Sequence, residues 1–131
     1  MPHRRIAGHS PYEAIMGYSR AVVAGNHVYV AGTAPIPPEG DPPEGGYEQT
    51  RLCLRIILEA LERAGARAED VVRTCIYLVD PSVFDEVALA HGEVFADIRP
   101  VNTTILIPAL VDPRWLLEID ALAVIQDGEA A

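Results

Sequence analysis

The spacing of apolar and polar positions changes period several times along the chain, and each change marks an element. Over Tyr18–Ile36 two short apolar runs flank Gly25-Asn26, as in a β-hairpin. The second run alternates, with His27, Tyr29, Ala31 and Thr33 on one side and Val28, Val30 and Gly32 on the other. Glycine weakens a strand interior, so Gly32 is expected to mark a bulge or a point where a ligand nears the backbone. From Tyr47 the spacing becomes three and four. Thr50, Cys53, Leu54, Ile57, Leu58, Leu61 and Ala64 draw one helical face, Arg55, Glu59 and Arg63 pair on the other, and Gly65 ends the helix.

The β-branched and aromatic run Val71–Asp80 reads as a strand with Arg73, Cys75 and Tyr77 on one side. A second helix follows, with Ser82 expected as N-cap, Asp85 completing a short capping box, and Phe84, Val87, Ala88, His91, Val94 and Phe95 facing inward. Arg99-Pro100 breaks it, because a residue before proline avoids the helical region. Strands are expected at Asn102–Ile107 and Leu116–Ile125. The Pro- and Gly-rich acidic segment 35–46 is a loop, and residues 1–17 form an N-terminal segment with no assigned element. The order β-β-α-β-α-β-β gives an α+β domain spanning 1–131: a mixed sheet with two helices packed on one face. The other sheet face stays partly apolar and needs a partner, so a homo-oligomer is expected.

Composition narrows the chemistry. The formal net charge is −9, which argues against nucleic acid and against anionic membrane surfaces. All 10 basic residues are arginine, so Schiff-base and P-loop lysine chemistry are excluded. Cys53 and Cys75 lie far apart without a CxxC spacing and read as buried thiols of a reducing compartment. His3, His9 and His27 form no HxxxH or HExxH pattern, so no metal is expected, and no motif calls for a cofactor. The start MPHRRIAGHSPYE lacks a signal-like apolar core, and no apolar run reaches the ~20 residues that cross a bilayer. A soluble, cytoplasmic protein is the expectation.

The last strand carries the sharpest candidate. Alternation puts Glu118 and Asp120 among Leu116, Leu122 and Val124, with Leu117, Ile119, Ala121 and Ala123 opposite. Acids at i and i+2 on a strand stand roughly 7 Å apart. A carboxylate in apolar surroundings has a raised pKa, which suits proton transfer, although an outward-facing edge strand reads the same way. His91 fits a hydrogen-bonded core histidine better than a catalytic one. Asn102, Thr103 and Thr104 are either solvated strand-start residues or the floor of a binding site.

Together, "YSRAVVAGNHVYVAGTAPI", "GYEQTRLCLRIILEALERAGARAEDVVRTCIYLVD", "FDEVALAHGEVF", "RPVNTT" and "LLEIDALAV" resemble the Rid family (YjgF/YER057c/UK114, also labelled L-PSP endoribonuclease). The resemblance runs from Tyr18 to Ile125 in the family's order. It implies a chorismate-mutase-like fold and a homotrimer whose sheets pack into a barrel with clefts between subunits. It further implies hydrolysis of small metabolites such as 2-aminoacrylate and 2-iminopropionate to keto acids and ammonia. In that likeness Tyr18 matches the tyrosine before the first strand, Gly32 the strand glycine lining the cleft, and Glu118 the glutamate that positions water.

The family motif P-x-R-[ST] reads P-V-N-T here, so Asn102, followed by Thr103, stands where the carboxylate-binding arginine is expected. A neutral amide replaces a charged planar fork, which by itself weakens carboxylate binding about tenfold or more. Arg20, Arg73 and Arg99 are the candidates to compensate. Two readings follow: an imine or enamine hydrolase whose 2-iminopropionate activity is in question, and a non-catalytic metabolite-binding trimer. The acidic balance sets ribonuclease activity behind both.

Overall fold

The hairpin, the two long helices and the three later strands all form in the computed structural model, which describes residues 2–126. In chain order the elements are β1 (Arg4–Ile6), α1 (Tyr12–Met16), β2 (Ala21–Ala24), β3 (His27–Thr33), α2 (Gly46–Arg63), β4 (Val71–Leu78), α3 (Phe84–Phe95), β5 (Val101–Leu106) and β6 (Leu117–Val124). The strands make one six-stranded sheet of order β1-β2-β3-β6-β4-β5. Only β4 and β5 run parallel, and α3 is the crossover that a parallel pair requires.

β6 lies at the centre, and its alternation settles what each sheet face does. Leu117, Ile119, Ala121 and Ala123 are buried with Leu54, Ile57 and Leu61 of α2 and Val87 and Phe95 of α3. Each large apolar side chain so enclosed stabilises the fold by about 2 kcal/mol. Glu118, Asp120, Leu122 and Val124 point to the opposite face and are half-buried. That face also carries Tyr29, which is 51% exposed. At Tyr29 that face is open to solvent. Cys53 and Cys75 are buried free thiols.

Several local expectations need correction. The N-terminal segment is ordered into β1 and α1, short elements whose few residues carry too little periodicity to be read alone. Thr33 does not share a side with Tyr29. The register jumps from Val30↔Ala121 to Thr33↔Ile119, and this bulge at Gly32 turns Thr33 into the core, where it is fully buried. Ser82 is not the cap of the second helix. Asp80 accepts the Ser82 N–H at 2.8 Å and opens a 3-10 turn at Pro81–Val83, so α3 starts only at Phe84. Phe84 and Ala88 are exposed, while Ala90 is buried.

The loop 35–46 is tied down. Gln49, buried at 2% exposure, donates to the carbonyls of Pro43 and Arg114 and accepts the Leu116 N–H. Outside, Arg114 pairs with Asp41 at 3.0 Å and with Asp112 at 2.8 Å.

Candidate functional site

Helix α1 ends because Gly17 takes a left-handed conformation (φ 80°), closing the last turn on the Glu13 carbonyl. The reversal delivers Tyr18 to the wall of a cavity of about 440 Å³. There its hydroxyl lies 3.5 Å from Ser10 Oγ. Gly32 enters from the β3 bulge, and Glu118 arrives from the start of β6, beside it in the sheet. The cavity is completed by Arg20, by Tyr12 and Met16 of α1, and by Ile36, Val111 and Trp115. Tyr12 and Trp115 meet edge to face with ring centres 6.4 Å apart, holding α1 against the entry to β6.

Glu118 and Gly32 are fitted to one another. A Cβ on residue 32 would lie 2.8 Å from Glu118 Oε1, so the carboxylate occupies the space that a side chain would fill. Burial raises the Glu118 pKa above its usual value, and the nearby Arg20 guanidinium partly opposes that rise. The bulge also frees the Gly32 carbonyl from the sheet ladder, and it accepts a 2.7 Å hydrogen bond from Arg20 Nη2. The site therefore holds a carboxyl biased toward taking up a proton, a tyrosine hydroxyl and a pinned cation.

Asn102 and Thr103 are not part of this cavity. β5 lies two strands beyond β6, roughly 10 Å across the sheet. Asn102 is in register with Thr74, whose side chain is buried on the helix side, opposite the Glu118 face. Asn102 Nδ2 donates to Thr74 Oγ1 at 3.0 Å, and Asn102 Oδ1 accepts from the Thr104 hydroxyl at 2.8 Å. Thr74 Oγ1 also lies 2.9 Å from His91 Nε2, and burial lowers the His91 pKa. The polar stretch that follows Pro100 thus serves as a hydrogen-bond chain from β5 to α3. Thr103 faces the open side, in register with Cys75 and through it with Asp120.

On that same face the Tyr77 hydroxyl donates to Asp120 at 2.8 Å, and this bond raises the Tyr77 pKa. Arg73 is exposed there. Arg99 is exposed at the end of α3 beside His91, in a left-handed conformation (φ 58°). Of the three arginines considered as replacements, the fold brings only Arg20 to the cavity.

A larger, more open groove of about 780 Å³ runs between α2 and α3, lined by Arg51, Arg55, Glu59, Glu62, Arg67 and Glu93 around a few apolar side chains. Its mixed charges are solvated helix faces, and no buried polar group points into it. The tyrosine, tryptophan and methionine that floor the Glu118 cavity were not identified from sequence. Tyr12 and Met16 lie in the unassigned segment, and Trp115 lies just before the expected strand at Leu116–Ile125.

Comparison with known proteins shows the family and the fold. Residues 8–125 match the family model described as endoribonuclease L-PSP. This chain belongs to that family. A crystal structure of a YjgF/YER057c/UK114 family member from Mycobacterium tuberculosis superposes with a TM-score of 0.86 at 42% identity, covering 95% of this chain and 100% of that one. An uncharacterized protein of Streptomyces coelicolor is 37% identical over 92% of this chain and 90% of its own length. The 3-aminoacrylate deaminase RutC of Acinetobacter baylyi is 30% identical over 94% of this chain and 98% of its own. Among the described residues, no helix is long and apolar enough to cross a membrane.

Proposed function

We propose that this L-PSP family member hydrolyses the C–N bond of a small imine or enamine. Water adds to the imine carbon, the C–N bond breaks, and ammonia leaves with a keto compound remaining. Glu118 orients and deprotonates the water, the Gly32 backbone meets the substrate, and Tyr18 closes the cavity. The observation that carries this reading is the half-buried Glu118 carboxylate seated over Gly32. Its raised pKa moves it toward the range where a carboxylate exchanges protons efficiently near neutral pH. The likeness to a relative named as a 3-aminoacrylate deaminase supports the same class of reaction.

The protein acts as a homotrimer in this reading. The uncovered sheet face, with Tyr29, Leu122 and Val124 around the two acids, is the surface that copies would bury. Asn102 and Thr103 of one copy then approach the cavity of the next and hold a polar group of the substrate. The acidic net charge of −9 disfavours RNA as substrate despite the family's label. The test is ammonia release from 2-iminopropionate, generated in situ by an amino-acid oxidase. Hydrolysis above the buffer rate, lost in Glu118→Gln, is expected, and unchanged turnover in that variant removes the central role of Glu118.

One observation favours a second reading, a metabolite-binding trimer without turnover. The Asn102 amide is already hydrogen-bonded at both ends, to Thr74 and Thr104, and offers a ligand little. If neither the wild type nor Asn102→Arg releases ammonia, the binding reading takes precedence.

A further inference from the structure

Arg20 is 5% exposed, a depth at which an arginine is ordinarily paired with a carboxylate. Here it is not. Its side-chain hydrogen bond is the one from Nη2 to the Gly32 carbonyl, and its Nε is buried without a partner. Among the described residues no carboxylate lies within ion-pair distance of it. Glu13 points one oxygen at the Gly8 N–H and leaves the other buried and unpartnered, and Glu118 acts on Arg20 only through its field. A purely structural residue filling this space would be apolar, because an unsatisfied buried N–H costs about 1–3 kcal/mol, more on a charged group.

We propose that Arg20 receives the carboxylate of the ligand in the Tyr18–Gly32–Glu118 cavity, supplying the charge that Asn102 cannot. The Gly32 bond fixes the guanidinium plane and leaves the rest of the fork for an oxyanion. Met16, Ile36, Val111 and Trp115 give the remaining wall an apolar character suited to a short carbon chain. The ligand class is therefore a small carboxylic acid with a short carbon chain, its carboxylate at Arg20 and the neighbouring carbon facing Glu118. This inference rests on the cavity named in the hydrolase reading but not on its chemistry.

The test is binding without turnover, using pyruvate and its amide, pyruvamide, as probes. Titration calorimetry on the wild type is expected to give at least about tenfold tighter binding of pyruvate, the difference between a charge-assisted and a neutral pairing. Arg20→Met is expected to bring the two within about twofold, while Arg55→Met on exposed α2 surface leaves the preference intact. The wild-type comparison and the NMR signal of the Arg20 Nε–H serve even if Arg20→Met does not fold. That signal is expected to shift with pyruvate and not with pyruvamide. Equal wild-type affinity for the two probes, no binding of either, an unmoved Nε–H signal, or a preference that survives in Arg20→Met would each overturn the assignment. Arg20-dependent pyruvate binding with no ammonia release from 2-iminopropionate instead removes the hydrolase reading and leaves this one standing.

Discussion

Gln49 shows how a single buried side chain positions the site from a distance. It ties three stretches of main chain: its Nε2 donates to Pro43 O at 2.9 Å and to Arg114 O at 3.0 Å, while its Oε1 accepts from Leu116 N at 2.8 Å. Leu116 lies two residues before Glu118, so the same contacts set where β6 enters the sheet. Gln49→Ala deletes three hydrogen bonds worth about 1 kcal/mol each and orphans an N–H and two carbonyls, giving an expected loss of about 3 kcal/mol. With a urea slope of about 1.5 kcal/mol/M for a domain of this size, the midpoint should fall by about 2 M with the slope unchanged. Protein concentration must be held constant, since the trimer proposed above would make the apparent stability depend on it. Gln49→Glu is the discriminating control. It keeps the acceptor toward Leu116 but turns a second carboxylate oxygen against two carbonyls, so at neutral pH it should be less stable than Gln49→Ala. Its deficit should shrink in acid, where the protonated carboxyl can donate. A Gln49→Ala loss under about 1 kcal/mol, or a Gln49→Glu protein more stable than it at neutral pH, refutes the reasoning.

Further outcomes follow from the same geometry. Burial raises the Glu118 pKa above its ordinary 4.5, so stability falls as pH rises from there through the folded value, and the penalty is complete above it. Glu118→Gln should therefore be more stable than wild type at neutral pH and lose that advantage below about pH 4.5; an equal difference at both in urea melts would contradict this. Burial lowers the His91 pKa from 6.5; the unfolded chain takes the proton first, and stability is lost as pH falls from there through the folded value. His91→Gln should show a smaller loss between about pH 7.5 and 5 in the same melts. Gly32→Ala pushes against the mobile end of Glu118 rather than backbone, so stability should change by under about 1 kcal/mol while ammonia release falls about tenfold. Arg99 occupies a left-handed conformation at φ 58°, and Arg99→Gly should stabilise by about 0.5–1 kcal/mol, read as a raised urea midpoint.

Periodicity alone determined the part of this protein that depends on local rules. The i, i+3, i+4 face of α2 and the alternation of β6 were legible because burying one face imposes a period of 3.6 or 2 on the residues that face it. The same alternation put Glu118 and Asp120 together on one face of the strand, and the packing of α2 and α3 on the other face showed which side that is. Tertiary structure decided what periodicity cannot express. The register jump at Gly32, which reverses Thr33 and frees a carbonyl for Arg20, depends on pairing with β6, a strand far away in the chain. Residues 1–17 were silent because a three-residue strand and a five-residue helix hold too few positions to show a period. Arg20 stood beside Arg73 and Arg99 as an equal candidate to compensate for Asn102, since an isolated arginine before a strand carries no sign of its depth. The Asn102 amide looked available for a ligand until the parallel pairing of β4 with β5 placed it on Thr74. Burial and pairing belong to the whole fold, so the sequence could name Tyr18, Gly32 and Glu118 but only the assembled sheet could add Tyr12, Met16 and Trp115 to them and set Asn102 and Thr103 apart.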